Sequence, residues 1–319
     1  MDWVLRCLDV LAFGHELPLD DLRTGAIAEC SIGRELTAEE GIALVDALAD
    51  RASAGVKVPA QVKNVDKLDL RGMDLGAAGA ERVVTALPAF PGITSINLLQ
   101  NDIGIEAATK LVTAFRLHPT LKTLCGISRD QSRASFSGQN LTAADGMLIA
   151  ADLEFNTSLI EINLQDNCIG KDGGVAIGNA LKINPVLIAL NLANNRLCGV
   201  WGKELPGIPR EGAYDPSAIR ALVDVFKKNT ALSEVDLRHN SMMYDEEMAV
   251  REAVRRRAEL GTVGGFWSGP RSECTTNQRY GAGAAVVERP ALVVGLGAAS
   301  SHRSSVPRRT GAAALSVAL

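Results

Sequence analysis

Few side chains in this sequence have the type and spacing that chemistry needs. Four histidines occur (His15, His118, His239, His302), and no two stand at the separation that lets a helix or turn hold a metal ion. Six cysteines (Cys7, Cys30, Cys125, Cys168, Cys198, Cys274) form no CxxC pair and no compact framework. They read as reduced thiols of an intracellular, cytoplasmic protein, and Cys168 and Cys198 fall where a small thiol packs well in a core. The run ALVVGLGAAS (residues 291–300) imitates a strand entering a glycine-rich phosphate loop. A dinucleotide fold, however, needs a βαβ unit of about 30 residues and an acid about 20 residues further on. None of the 19 residues after Ser300 is acidic. No Walker motif and no GxSxG elbow appears. No catalytic residue, metal ligand or cofactor is expected, and the chain reads as a non-enzyme.

The chain does write one short pattern several times. TSINLLQNDIG (94–104), IEINLQDNCIG (160–170) and IALNLANNRLCG (188–199) are near copies. Leu68 to Ile96, Ile96 to Leu124 and Ile162 to Leu190 are each 28 residues apart. Leu124 to Ile162 is 38 and Leu190 to Val235 is 45, one period plus inserts of 10 and 17. A fixed period of this length is the mark of a solenoid. Within each copy, LxL alternation is the period-2 signal of a short strand buried on one face. An asparagine (Asn101, Asn167, Asn195, Asn240) then turns the chain, its amide serving backbone groups that the turn leaves unpaired. Met73 and Gln139 stand in the same slot elsewhere. Helical runs such as AERVVTAL, GVAIGNAL and IRALVDVF follow, with apolar residues at i, i+3 and i+7.

These copies resemble the leucine-rich repeat, and the 28-residue period resembles its ribonuclease-inhibitor-like subclass. The resemblance covers residues 29–260 in about seven units, the first of them degenerate and near 30–48. It implies an α/β solenoid, a curved horseshoe with parallel strands inside and helices outside. Strands stack at about 4.8 Å and helices at about 10 Å, so stacking both in register bends the array. Residues 1–28 are expected to cap the first edge, starting with an amphipathic helix. Residues 261–319 lose the period, turn Gly/Ala/Ser/Arg-rich, and are expected to be a disordered tail.

Without chemistry, function falls to the surface. The outward positions of the strands form columns: Lys67, Ser95, Thr123, Glu161, Ala189 and Glu234 on one side; Asp69, Asn97, Cys125, Asn163, Asn191 and Asp236 in the centre; Arg71, Leu99, Gln165, Ala193 and Arg238 on the other. Lys67, Asp69, Arg71, Asn97, Glu161, Asn163, Gln165, Asn191, Glu234, Asp236 and Arg238 are the candidate binding residues of this concave face. The net charge is −4, with +4 on residues 261–319 and −8 on the rest, which gives no general attraction to nucleic acid. No apolar run reaches the roughly 18 residues of a membrane span. A protein partner is expected, and an interaction scaffold is the leading reading. The resemblance leaves open a regulator of a small GTPase similar to Ran GTPase-activating protein, or a structural subunit of a larger assembly such as a ciliary one.

Overall fold

A computed structural model describes residues 7–9, 17, 19–24, 26, 29–31, 36–56, 61–128, 130–201, 211–259 and 316–318. In chain order the elements are β1 (Cys7–Asp9), α1 (Leu19–Thr24), β2 (Glu29–Ser31), α2 (Ala38–Ser53), β3 (Gln61–Lys63), β4 (Lys67–Asp69), α3 (Gly76–Ala86), β5 (Ser95–Asn97), α4 (Ile105–Leu117) and β6 (Arg133–Ser135). There follow α5 (Ala143–Phe155), β7 (Glu161–Asn163), α6 (Gly170–Leu181), β8 (Ala189–Asn191), β9 (Val200–Trp201), β10 (Glu211–Gly212), α7 (Ser217–Lys228), β11 (Glu234–Asp236), α8 (Tyr244–Glu259) and β12 (Ser316–Ala318).

The period becomes a ladder. Leu68 pairs with Ile96, Ala134 with Ile162, Ile162 with Leu190 and Leu190 with Val235, all parallel. The central residue of each of these strands is buried and its neighbours are not, so one face packs inward. Each helix packs on the ones before and after it, α1 through α8 in sequence. Every unit leans on its neighbours, and none has a core of its own.

The asparagines do what their slot requires. Asn167 is buried; its Nδ2 donates to Phe136 O and Leu164 O at 2.8 Å, and its Oδ1 accepts from Gln139 N and Leu141 N at 3.0 Å. Asn101 and Asn240 repeat this bonding in their own turns. The preceding residue takes a left-handed φ in each case: Gln100 62°, Asp166 57°, Asn194 53°, His239 59°. His239 is therefore a turn residue.

A second asparagine row, not anticipated from the LxL pattern, seals the other end of the units. Asn184 Nδ2 donates to Leu153 O and Asn156 O, while its Oδ1 accepts from Val186 N and Leu187 N. Asn229 does the same one unit later. His118 occupies this slot in its own unit, with Nδ1 accepting from Leu121 N at 3.2 Å.

Several expectations need correction. The opening residues are not helical where described: Cys7–Asp9 is a strand beside Glu29–Ser31. The open edge of β2 offers unpaired backbone groups, and satisfying them outweighs a local helical preference. Most of the expected tail lies outside the described residues, but Ser316–Ala318 pairs in parallel with β11 and is not structureless. Among the described residues the parallel strands also fall into three ladders, β1-β2-β3, β4-β5 and β6-β7-β8-β11-β12. Breaks occur where one unit's strand is split, at β3/β4 and between residues 125 and 133.

Candidate protein-binding surface

The 10-residue insert makes the second break. Residues 121–125 run beside β5, with Ile96 N donating to Thr123 O and Leu98 N to Leu124 O. The chain then leaves the sheet and returns as β6, which pairs only with β7. On the side away from β5, no strand among the described residues lies beside 123–125 to accept from Leu124 N and Cys125 N. The carboxylate of Asp152, from α5, takes that place. It accepts from Leu124 N at 2.7 Å, Cys125 N at 3.1 Å and Thr123 Oγ1 at 2.5 Å. Asp145, two turns earlier on α5, accepts from Gln100 N at 2.8 Å and closes the helix cap through Thr142 N. It serves the turn that the missing asparagine at Gln139 leaves without an acceptor. Both acids are buried. Burial pushes the Asp152 carboxyl up to about 6, against its hydrogen bonds, which pull it down.

This closure changes the columns. Thr123, Cys125, Leu99 and Ala193, read as outward-pointing, are buried. The side chains of Thr123 and Cys125 meet the buried Asp152 of α5, and Leu99 joins the core. The candidate residues therefore divide into two stretches of surface. On the first are Lys67, Asp69, Arg71 and Asn97; Arg71 donates to Gln100 Oε1 at 2.8 Å and across the break to Gln139 Oε1 at 2.6 Å. On the second are Glu161, Asn163, Gln165, Asn191, Glu234, Asp236 and Arg238. Glu161 pairs with Arg133 at 3.2 Å, Asn191 Nδ2 donates to Gln165 Oε1 at 3.1 Å, and Arg238 closes on Asp236 at 2.6 Å.

The central column has a structural task as well. Asp69, Asn97, Asn163, Asn191 and Asp236 each accept, through a side-chain oxygen, from the N–H two residues on. These turns end the strands. They also fix each side chain's orientation; the second polar atom is engaged by Gln165 in Asn191 and by Arg238 in Asp236. The Asn or Asp that recurs between the two apolar residues of each LxL could have suggested this, since Asx turns follow strands of this kind.

The 17-residue insert begins and ends as an antiparallel pair, β9 with β10; its tip, 202–210, lies outside the described residues. Its base is stitched down by the Tyr214 hydroxyl donating to the Glu246 carboxylate of α8 and by Lys171–Asp215 at 2.9 Å. Cys125 and Cys198 are buried, and burial raises both thiols, Cys198 to about 12. Neither is a thiolate at neutral pH. Among the described residues no group of His, Cys, Asp and Glu could hold a metal, and no helix is long and apolar enough to cross a membrane.

The 28-residue period, the buried asparagines and the parallel ladders define the fold as an α/β solenoid of leucine-rich repeats. No protein-family model matches the chain, and no curated protein does. Among solved structures, leiomodin-1 actin-binding site 2 is similar at 20% identity over 57% of this chain and 88% of that one, with a TM-score of 0.31. The tropomodulin C-terminal domain of Caenorhabditis elegans is similar at 12% identity over 68% of this chain and 94% of that one, with a TM-score of 0.29.

Proposed function

We propose that this chain is a non-enzymatic protein-interaction scaffold that binds a polar, charge-patterned protein on its strand face. The 28-residue period supports assigning its repeats to the ribonuclease-inhibitor-like subclass. The observation that carries the reading is the pinned central column: Asn163, Asn191 and Asp236 are each held by a backbone hydrogen bond at 3.0 Å. Side chains already ordered lose less on binding, so a partner meets a preorganised surface. Lys67 and Arg71 at one end, with Glu234 and the Asp236–Arg238 pair towards the other, offer both signs of charge for orientation. The test is capture from native extract with the wild-type chain and two variants. Asn163→Arg with Asn191→Arg puts bulk and charge in the second stretch and should abolish recovery of a specific prey. Lys227→Glu, on the exposed face of α7, should leave it intact. The opposite result, prey lost with the helix variant and kept with the strand pair, would refute the strand-face reading.

A further inference from the structure

The helical side carries a feature that the strand-face reading does not use. On α4 and α6 the outward positions are exposed, among them Glu106, Thr113, Asn179 and Lys182, whereas no residue of α5 before Phe155 is. Apart from Asp145, Asp152 and Glu154, the helix between them is apolar on every side, as buried helices are. Two causes set it deep. Asp145 and Asp152 tether its inner side to the broken sheet. On its flank, glycines meet: a Cβ on Gly146 would stand 3.0 Å from Gly173 Cα, and one on Gly173 3.1 Å from Ala143 O. The row of helices thus dips at α5.

The dip is a cleft of about 420 Å³ with Met147, Ala150 and Ala151 as its floor and Thr113 of α4 and Asn179 of α6 on its walls. Its lower end carries large apolar groups left in water, Phe155 at 55% and Ile183 at 61% exposure. A second cleft, of about 500 Å³, continues from there around Phe155, between Phe115 and Lys122.

The charges are sorted by end. Around the C-terminal ends of α4 and α6 stand Arg116, Lys122 and Lys182, with Glu154 the acid beside them, 2.5 Å from Arg116. At the N-terminal ends stand Glu106 and Asp172; Lys110 lies 3.4 Å from Glu106 but is held by Glu81 at 2.6 Å, and Lys171, beside Asp172, is held by Asp215 at 2.9 Å.

We infer that this trough is a docking site for one amphipathic helix of a partner protein, laid antiparallel to α4 and α6. A groove the width of one recessed helix, with an apolar floor, accepts a helix of similar girth. Helices carry acids in the first turn and bases in the last, because the macrodipole favours them there. Only the antiparallel orientation brings such acids to Arg116, Lys122 and Lys182, and such bases to Glu106 and Asp172. It also opposes the helix dipoles.

The probe is a fluorescent synthetic helix of about four turns, with Ala and Leu on one face, Glu in its first turn and Lys in its last. A second peptide has the charges exchanged. Anisotropy with the full chain should show the acid-first peptide binding about tenfold more tightly at low salt, with the difference fading near about 1 M salt. Thr113→Arg with Asn179→Arg fills the trough from exposed positions; it should weaken binding at least about tenfold and leave the thermal midpoint unchanged. Asn163→Arg with Asn191→Arg, on the opposite face, should not affect the peptide, so failure of one surface is separable from failure of the other. Equal affinity for both charge orders, indifference to the wall variants, or no binding at all would overturn the inference. A dimer of the chain that the wall variants dissociate would also overturn it, by showing a second copy as the occupant.

Discussion

Asp152 offers the sharpest perturbation, because its side chain stands in for part of a β-ladder. Its carboxyl is buried and titrates near 6 in place of the ordinary 3.8. At about 1.4 kcal/mol per pH unit, the folded chain holds that proton more tightly than the unfolded chain by about 3 kcal/mol. The folded pKa is raised, so the contribution is fully present below pH 3.8 and is lost as pH rises to about 6. Other carboxylates will shape the absolute stability curve. The difference between wild type and Asp152→Asn isolates this one, since asparagine keeps the shape and does not titrate.

Urea unfolding of both proteins at pH 4 and pH 7 should therefore show wild type losing about 2 kcal/mol relative to Asp152→Asn between the two. Asp152→Ala should be worse at either pH. It strands Leu124 N and Cys125 N, at about 1–3 kcal/mol for each buried donor. A pH-independent difference between wild type and Asp152→Asn would mean that the site is not dry. A difference of opposite sign would mean that the three donors outweigh burial and hold the carboxyl below its ordinary range.

Asn167→Ala removes the amide that joins two turns and should cost about 1–3 kcal/mol or more, read as a lowered denaturant midpoint at unchanged slope. An unchanged midpoint would place the side chain outside a packed turn. Helix propensity alone makes Gly173→Ala stabilising by about 1 kcal/mol. Its Cβ would stand 2.6 Å from Ile169 Cγ2, so the close approach predicts net destabilisation by about 1–2 kcal/mol. Gly92→Ala, with nothing within 4 Å, is the control.

The repeat was legible because its physics is local. An apolar residue every second position, an asparagine at a fixed offset and a helical stripe recur at the same spacing, and the ladder registers follow them. Asn101, Asn167 and Asn240 do in the structure what their slot implied. The role of Asp145 and Asp152 was not legible. Both sit in a helical run where a carboxylate looks like an ordinary surface residue, and only the broken sheet gives them donors to accept from. The second row, Asn156, Asn184 and Asn229, does have a signal: each stands three residues before the first leucine of a unit. For the surface, alternation leaves Glu161, Asn163, Asn191, Glu234 and Asp236 outside the core. It failed at Thr123 and Cys125, whose side chains meet the buried Asp152, and at Leu99 and Ala193, which are buried as well. Strand periodicity reports which side a residue faces, not what later folds over it.

The insert and the acids should be two halves of one device, and that can be tested by removing the first. Deleting residues 125–134 joins Leu124 to Ser135 and writes LKTLSFSGQNL, an uninterrupted copy with Leu124 and Ile162 at the 28-residue period. In the shortened chain, Leu124 lies beside both β5 and β7, so its N–H is accepted by the neighbouring strand. Asp152 then faces no unpaired donor, and a buried carboxylate without donors is costly. Asp152→Leu should therefore change sign with background. In the full chain it should destabilise, since Leu124 N and Cys125 N lose their acceptor. In the deletion it should stabilise, by about 1–3 kcal/mol, as a buried polar group gives way to an apolar one. Denaturation of the four proteins closes a double-mutant cycle. Additive effects, with Asp152→Leu costing the same in both backgrounds, would show that the carboxylate does not replace a strand.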